Sequence, residues 1–476
     1  MTNHFRNLNV TILRSFLCGC VLVALLAGAA SAATSSVQVQ FASNAPVGRV
    51  LSLELTVNSA QLVRANGVAV SVVSRPFTLE QSHLGASAEV VGSADISSGA
   101  YTMAVVTVSN PHVVFLDNFG NIRESRWVGT SLTTTLLKQA ISAGSSPSVV
   151  RFSLDMASLM KFDPVHQTMV RSQPAVTVSQ LFPGRVGADA EVAGELEATV
   201  GKVSLVSATS FSVTDAVSGL STTYLVDRNT AYNGVSLRTM SGLLVRVHAT
   251  THSDGKLLAQ DVSISGSGAG SVVTGVLTDA TGTKVTAQQV YGAGASLSLL
   301  GSLATVALDS SASFQIDSKG MDLTALPQAF SRDNMVAGQR VQFISRSSMQ
   351  SSSNTTAGVT QAMIARLQLQ VISGTVTNVS VALNGATSFD LQLPLNDGSI
   401  LGLSTDMVHV VTQPLTKTAI TTFTEGMQVK VRGLLLFDGI SRGMQNSAVR
   451  GFITTPKDGS NYFMIARSVQ RDSSHK

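Results

Sequence analysis

The feature that most constrains this chain is a side-chain period of two that returns along most of its length. Ser36-Val37-Gln38-Val39-Gln40-Phe41, Leu51-Ser52-Leu53-Glu54-Leu55-Thr56-Val57 and Gln428-Val429-Lys430-Val431-Arg432 alternate apolar and polar residues. Only an extended backbone sends one such set inward and the other toward water. Between these runs stand Asn66-Gly67, Asn233-Gly234, Asp254-Gly255, Asn384-Gly385, Asp397-Gly398, Asp438-Gly439 and Asp458-Gly459. Asn or Asp followed by Gly tolerates the positive φ of a hairpin turn, so antiparallel meanders are expected. Charged residues make up 13% of the chain, and the Gly, Ser, Thr, Val and Ala that dominate it are poor builders of solvated helix faces. The best helical candidates, Leu132–Ser142 and Asp155–Lys161, are too short to organise a fold. The expected class is all-β.

From about residue 195 one pattern occurs three times. A strand begins around a glycine, in Gly201-Lys202-Val203, Gly275-Val276-Leu277 and Gly374-Thr375-Val376. A second element carries Phe211, Phe314 or Phe389. A central strand follows, as Gly242-Leu243-Leu244-Val245-Arg246-Val247, Gly338-Gln339-Arg340-Val341-Gln342-Phe343 and Gly426-Met427-Gln428-Val429-Lys430-Val431. The exit strands are Leu257-Leu258-Ala259-Gln260-Asp261-Val262, Met363-Ile364-Ala365-Arg366-Leu367 and Met464-Ile465-Ala466-Arg467-Ser468-Val469. The units are unevenly spaced, which excludes a tight solenoid. A bent meander of about five strands closed on itself, leaving no long edge, is the physical expectation for each. Ser265-Gly266-Ser267-Gly268-Ala269-Gly270-Ser271 reads as a flexible linker, which predicts independent barrels on a string.

These units resemble domain-of-unknown-function family 5666 in the glycine-led first strand, the Gly-x-x-Val-x-Val central strand and the Leu/Ile-Ala-x-x-Val exit strand. The resemblance implies OB-like barrels, at 195–265, 272–370 and 371–471. Residues 37 to about 180 resemble domain-of-unknown-function family 4382 through Asn44-Ala45-Pro46, the strand Val50–Leu62, Ser98-Gly99-Ala100-Tyr101-Thr102-Met103 and Val149-Val150-Arg151-Phe152-Ser153-Leu154-Asp155. This implies an exported β-sandwich, placed at 34–185. The family's usual Asp before Ala-Pro is Asn44 here, and neither resemblance supplies catalytic residues.

The first 33 residues predict a compartment. Arg6 and Arg14 precede an apolar run, Ser15–Ala29, about fifteen residues long, against the roughly 20 needed to span a bilayer, and small residues Ala30-Ser31-Ala32-Ala33 follow. A signal peptide cleaved near Ala32 or Ala33 is expected, with a periplasmic or extracellular mature chain and no membrane span. The alternative is lipid anchoring through Cys20, since Leu17-Cys18-Gly19-Cys20 has the shape of a lipoprotein cleavage box. Cleavage near Ala32 removes both cysteines, which excludes disulfides and thiolate chemistry from the mature chain. It also removes two of the 32 basic residues against 28 acidic ones, a balance too even for a nucleic-acid binder.

Motifs for chemistry are thin. Gly439-Ile440-Ser441-Arg442-Gly443 fits G-x-S-x-G but lacks a following helix, and the one later histidine is His475. Ser158-Leu159-Met160-Lys161 fits S-x-x-K without the accompanying Ser-Asp-Asn or Lys-Thr-Gly. Of His83, His112, His166, His248, His252 and His409, only His248 and His252 are close, and on a strand they stand about 13 Å apart, too far to chelate one ion. Glu191, Glu195 and Glu197 read as a solvated linker. The glycines at 266, 268 and 270 open no helix, so no phosphate loop is expected. Trp127, the single tryptophan, is the candidate ligand contact, because a sugar ring stacks on an exposed aromatic; core packing is its other role. No catalytic residue, cofactor or metal is expected. The function implied is that of a non-catalytic surface or periplasmic protein of β binding or spacer modules, its partner a cell-surface glycan or another envelope protein. The alternative is a polysaccharide-binding accessory protein.

Overall fold

The computed structural model describes residues 34–43, 50–73, 75–80, 88–119, 121–144, 148–172, 175–181, 196, 198–215, 219–251, 256–266, 272–280, 284–293, 303–317, 321–324, 326, 329–345, 360–382, 386–393, 406–437 and 462–471. Residues 1–33 with both cysteines, Asn44-Ala45-Pro46, His83, His252, Gly439–Gly443, Glu191, Glu195, Glu197, His475 and the Asn/Asp-Gly pairs at 254–255, 384–385, 397–398, 438–439 and 458–459 lie outside them. The protein is all-β, as the alternation predicts.

The first domain is a sandwich. Its strands are β1 (Thr34–Ser43), β2 (Val50–Arg64), β3 (Ala69–Ser71), β4 (Phe77–Glu80), β5 (Ala88–Ser97), β6 (Gly99–Leu116), β7 (Ile122–Arg126), β8 (Thr130–Ala143), β9 (Ser148–Asp155), β10 (Met160–Asp163), β11 (Thr168–Arg171) and β12 (Ala175–Leu181). One sheet runs β12-β9-β1-β5; the other runs β3-β2-β6-β7, with β4 beside β2 and β8 beside β6. Alternation sends Leu53, Leu55 and Val57 into a core shared with Phe41 and Phe152, whose rings stack at 5.2 Å. The sandwich strand over Thr130–Ala143 corrects the helical expectation for Leu132–Ser142. Three consecutive threonines, Thr133 to Thr135, restrict χ1, and Leu132 to Leu136 pair with Thr107 to Met103 of β6 instead. At Asp155–Lys161 helix is limited to the single turn α1 (Met156–Leu159).

Three units follow, each built on a circuit of five main strands. The first has β13 (Thr199–Val206), β14 (Ser210–Asp215), β15 (Ser221–Leu225), β16 (Ala231–Asn233), β17 (Leu244–Thr251) and β18 (Leu257–Gly266). The second has β19 (Val272–Asp279), β20 (Lys284–Ala293), β21 (Leu303–Ile316), β22 (Arg340–Ile344) and β23 (Thr360–Leu367). The third has β24 (Gln370–Val381), β25 (Thr387–Gln392), β26 (Met407–Val411), β27 (Lys417–Thr418), β28 (Gln428–Phe437) and β29 (Tyr462–Arg471). In each, the first two hairpins are antiparallel, the third main strand runs parallel to the exit strand, and the central strand joins exit strand to first strand. That circuit is the closed, OB-like barrel, and it removes free edges.

The repeated glycines have a mechanical reason. Gly242, Gly338 and Gly426 hold φ of +77°, +88° and +82° at the third position of a turn, where an L side chain is strained. Each donates its N–H to a first-strand carbonyl, Val203, Leu277 or Val376, at 2.8–2.9 Å, and the same residue's N–H returns to the residue after the glycine. The leading glycine admits the neighbouring strand: a Cβ on Gly201 would lie 2.2 Å from the Thr214 carbonyl oxygen, and one on Gly374 2.5 Å from that of Gln392.

The units are docked rather than strung out. Ser265 and Gly266 of the expected linker lie inside β18, Ser265 fully buried. Leu434, Leu436, Phe463 and Ile465 of the third unit pack into the apolar cluster of the second, so β28 is buried on both faces. Leu220 of the first barrel joins the sandwich core, while Ala42 and Ala88 of the sandwich join that barrel's cluster. The shared Met-Ile-Ala-Arg string is also not one structural position. Ala365 stands opposite Phe343, five residues past its turn glycine, whereas Ala466 stands opposite Gly433, seven past its own.

Candidate functional site

Outward-facing polar residues of three barrels meet in one cleft of about 1070 Å³. Inward positions on β17 go to Val245 and Val247, both buried in the core, so Arg246 and His248 must face out. Arg246 reaches the second barrel, donating through Nη2 to Asp317 and at 3.3 Å to Gln368 Oε1, while its Nη1 contacts His248 Nε2. His248 Nε2 stands 3.3 Å from the other Asp317 oxygen. Asp317 follows the end of β21 and is buried; losing water there is tolerable only with the Arg246 charge beside it. Asp261 on β18 is held by Asn233. Burial raises its carboxyl above the ordinary range, with Asp317 adding to the rise and Arg246 and Arg366 opposing it.

Arg366 of β23 is 6% exposed. Gln315 Oε1 accepts from its Nε at 3.1 Å and Nη2 at 2.8 Å, and Gln342 Oε1 from its Nη1 at 3.2 Å. Burial, reinforced by Arg246, brings its guanidinium down to about 10, still charged at neutral pH. The third barrel completes the wall with Lys417 of β27 and Arg467 of β29. Among the described residues, four cationic side chains therefore face two carboxylates, with His248 beside them, and Gln260, Ser263 and Thr250 add neutral polar groups. The arrangement can hold an anionic, hydrogen-bonding ligand.

The candidates from sequence are placed differently. Trp127 is half-buried against the sandwich core, and its backbone N–H donates to Pro111 O at 3.0 Å; it does not line the cleft. His248 does, while His252 lies outside the described residues. Ser158 Oγ donates to Asp155 O at 2.8 Å and accepts from Ala175 N at 2.9 Å, so the S-x-x-K hydroxyl fastens α1 to β12. Among the described residues no group of three His, Cys, Asp or Glu could hold a metal ion. Sequence reading missed Arg246, Asp317 and Arg366, whose spacing carries no signal: Arg246 and Asp317 are 71 residues apart. It also missed His409–Asp390, a buried pair at 2.8 Å in the third barrel, and a row of charge on the outer face of the sandwich. There Glu80, Glu54, His112 and Arg126 stand side by side across β4, β2, β6 and β7.

No curated protein matches the chain. Residues 200–263, which span the first barrel from β13 into β18, match the family described as Domain of unknown function (DUF5666).

Proposed function

We propose that this chain is an exported, non-catalytic binding protein of the cell envelope, in which a β-sandwich carries three barrels and the barrels bind the ligand together. The observation that carries the reading is the composite cleft: Arg246, Arg366 and Lys417 come from three different units yet line one space. Ligand sites favour such junctions, because a concave surface with convergent polar groups needs walls from more than one body. Binding is favoured over catalysis because the two carboxylates are engaged by Arg246 and Asn233 rather than facing each other as an acid–base pair. The second and third units are proposed as further members of the family matched by the first, on their common strand circuit, and the sandwich as a relative of family 4382. The polysaccharide-binding alternative moves from Trp127 to the cleft, since Trp127 leans on the core.

Two experiments test this. Cell fractionation with N-terminal sequencing should find an envelope or medium fraction starting near Ala33, or a blocked Cys20 if the chain is tethered; a cytoplasmic chain starting at Met1 would overturn export. A broad glycan array should give signals that weaken in Arg467→Gln, and silence across the array would remove the saccharide reading.

A further inference from the structure

We infer that the cleft selects an acidic oligosaccharide, one carrying carboxylates on a hydroxyl-rich chain. This deepens the binding reading above and rests on it.

The charge count comes first. Among the described lining residues, Arg246, Arg366 and Lys417 already outnumber Asp261 and Asp317, and Asp317 is bonded to Arg246. What remains is a positive surplus inside a concave site, where low-dielectric walls strengthen it. The geometry of Arg366 adds direction. Its guanidinium is nine-tenths buried and clamped by two neutral amides, Gln315 and Gln342, so its orientation is fixed, and Asp261 and Asp317 offset part of its charge without a hydrogen-bonded ion pair among the described residues. Lys417 is half-buried and forms no ion pair with the described residues. The neutral lining gives the scaffold. Gln260, Ser263 and Thr250 offer donors and acceptors suited to hydroxyls, and among the described residues no aromatic ring lines the cleft to stack on an uncharged sugar face. The volume of about 1070 Å³ suits a short oligosaccharide rather than a single small anion.

The experiment is calorimetric titration of the full mature chain with trigalacturonate, its fully methyl-esterified form and inorganic phosphate. Trigalacturonate should bind in a salt-sensitive manner, and the ester at least about tenfold more weakly, as expected when charged hydrogen bonds are lost. Lys417→Ala and Arg467→Gln should each raise the Kd for trigalacturonate by about tenfold or more, while Lys202→Ala, exposed on β13, should not. Far-UV circular dichroism and melting checks that each variant is folded; if Lys417→Ala is not, Lys417→Gln takes its place. Absent trigalacturonate binding, equal binding of the ester, or indifference to both cleft variants would overturn the inference. Phosphate binding as tight as trigalacturonate would overturn its saccharide part. A neutral glycan whose array signal survives Lys417→Ala would sink this inference while leaving the general binding reading intact, so the two fail separately.

Discussion

Glu54→Gln should stabilise the sandwich above pH 7 and do much less at pH 5. Glu54 faces Glu80 directly across β4 and β2, and Glu80 is buried, accepting from the Leu53 N–H at 3.0 Å. Burial, then the neighbouring Glu80 charge, push the Glu54 carboxyl from 4.5 up to about 7, against a smaller pull from Arg126. A folded state that holds this carboxyl neutral binds a proton that the unfolded chain has released. Stability from this residue is therefore full below about pH 4.5 and is lost as pH rises through about 7. The whole interval corresponds to about 3.4 kcal/mol. Glu54 is only half-buried, so solvent screening reduces the effect to about 1–2 kcal/mol. Urea unfolding followed by Trp127 fluorescence isolates the right domain, because the single tryptophan packs on the sandwich core. With a slope of about 2 kcal/mol/M, the midpoint at pH 8 should rise by about 0.5–1 M in Glu54→Gln. An equal rise at pH 5, or a fall at pH 8, would show that Glu54 is not held as argued.

Other perturbations separate the remaining interactions. Gly201→Ala should cost more than about 2 kcal/mol, because its Cβ would meet the Thr214 backbone at 2.2 Å. Gly242→Ala, with positive φ but open space around it, should cost only about 1–2 kcal/mol; thermal melting that ranks them the other way would contradict the clamp. Asp317→Asn alone should destabilise by about 3–5 kcal/mol, because it leaves Arg246 buried without its counter-charge, and Arg246→Met with Asp317→Leu should recover much of that loss in a denaturation cycle. Ser158→Ala should cost about 1 kcal/mol through its two hydrogen bonds, and no hydrolytic activity should be lost with it.

Period two made the strands readable because it is decided within a few residues; of the Asn/Asp-Gly pairs, Asn66-Gly67 turns β2 into β3, whereas Asn233-Gly234 closes β16, which runs parallel to β18 and forms no hairpin there. The helical expectation for Leu132–Ser142 fails although its three leucines and Ile141 suggest a helical stripe, because Leu136 is 75% exposed and the pairing with β6 decides the outcome. Docking of the barrels was hidden for a related reason. Leu434-Leu435-Leu436 reads as one buried strand, but nothing local says that one face of it packs on another unit. The cleft was least legible, since its members are ordinary outward positions until three barrels bring them together.

The strand circuit common to the three units explains why a family match to one barrel brings architecture and not chemistry. Inward positions of the central strand are conserved in kind across the units: Val245, Val341 and Val429, then Val247, Phe343 and Val431, all buried. The turn glycines are held by the same pair of backbone hydrogen bonds in every unit. Everything that makes the units look alike therefore closes a barrel. The position between those inward residues is free of that duty, and it diverges into Arg246, Gln342 and Lys430. Arg246 bridges to Asp317, and Gln342 props Arg366. Function in such a chain should accordingly be sought where the units differ, and exchanging Arg246 for the glutamine of the second unit should change the cleft while leaving the first barrel closed.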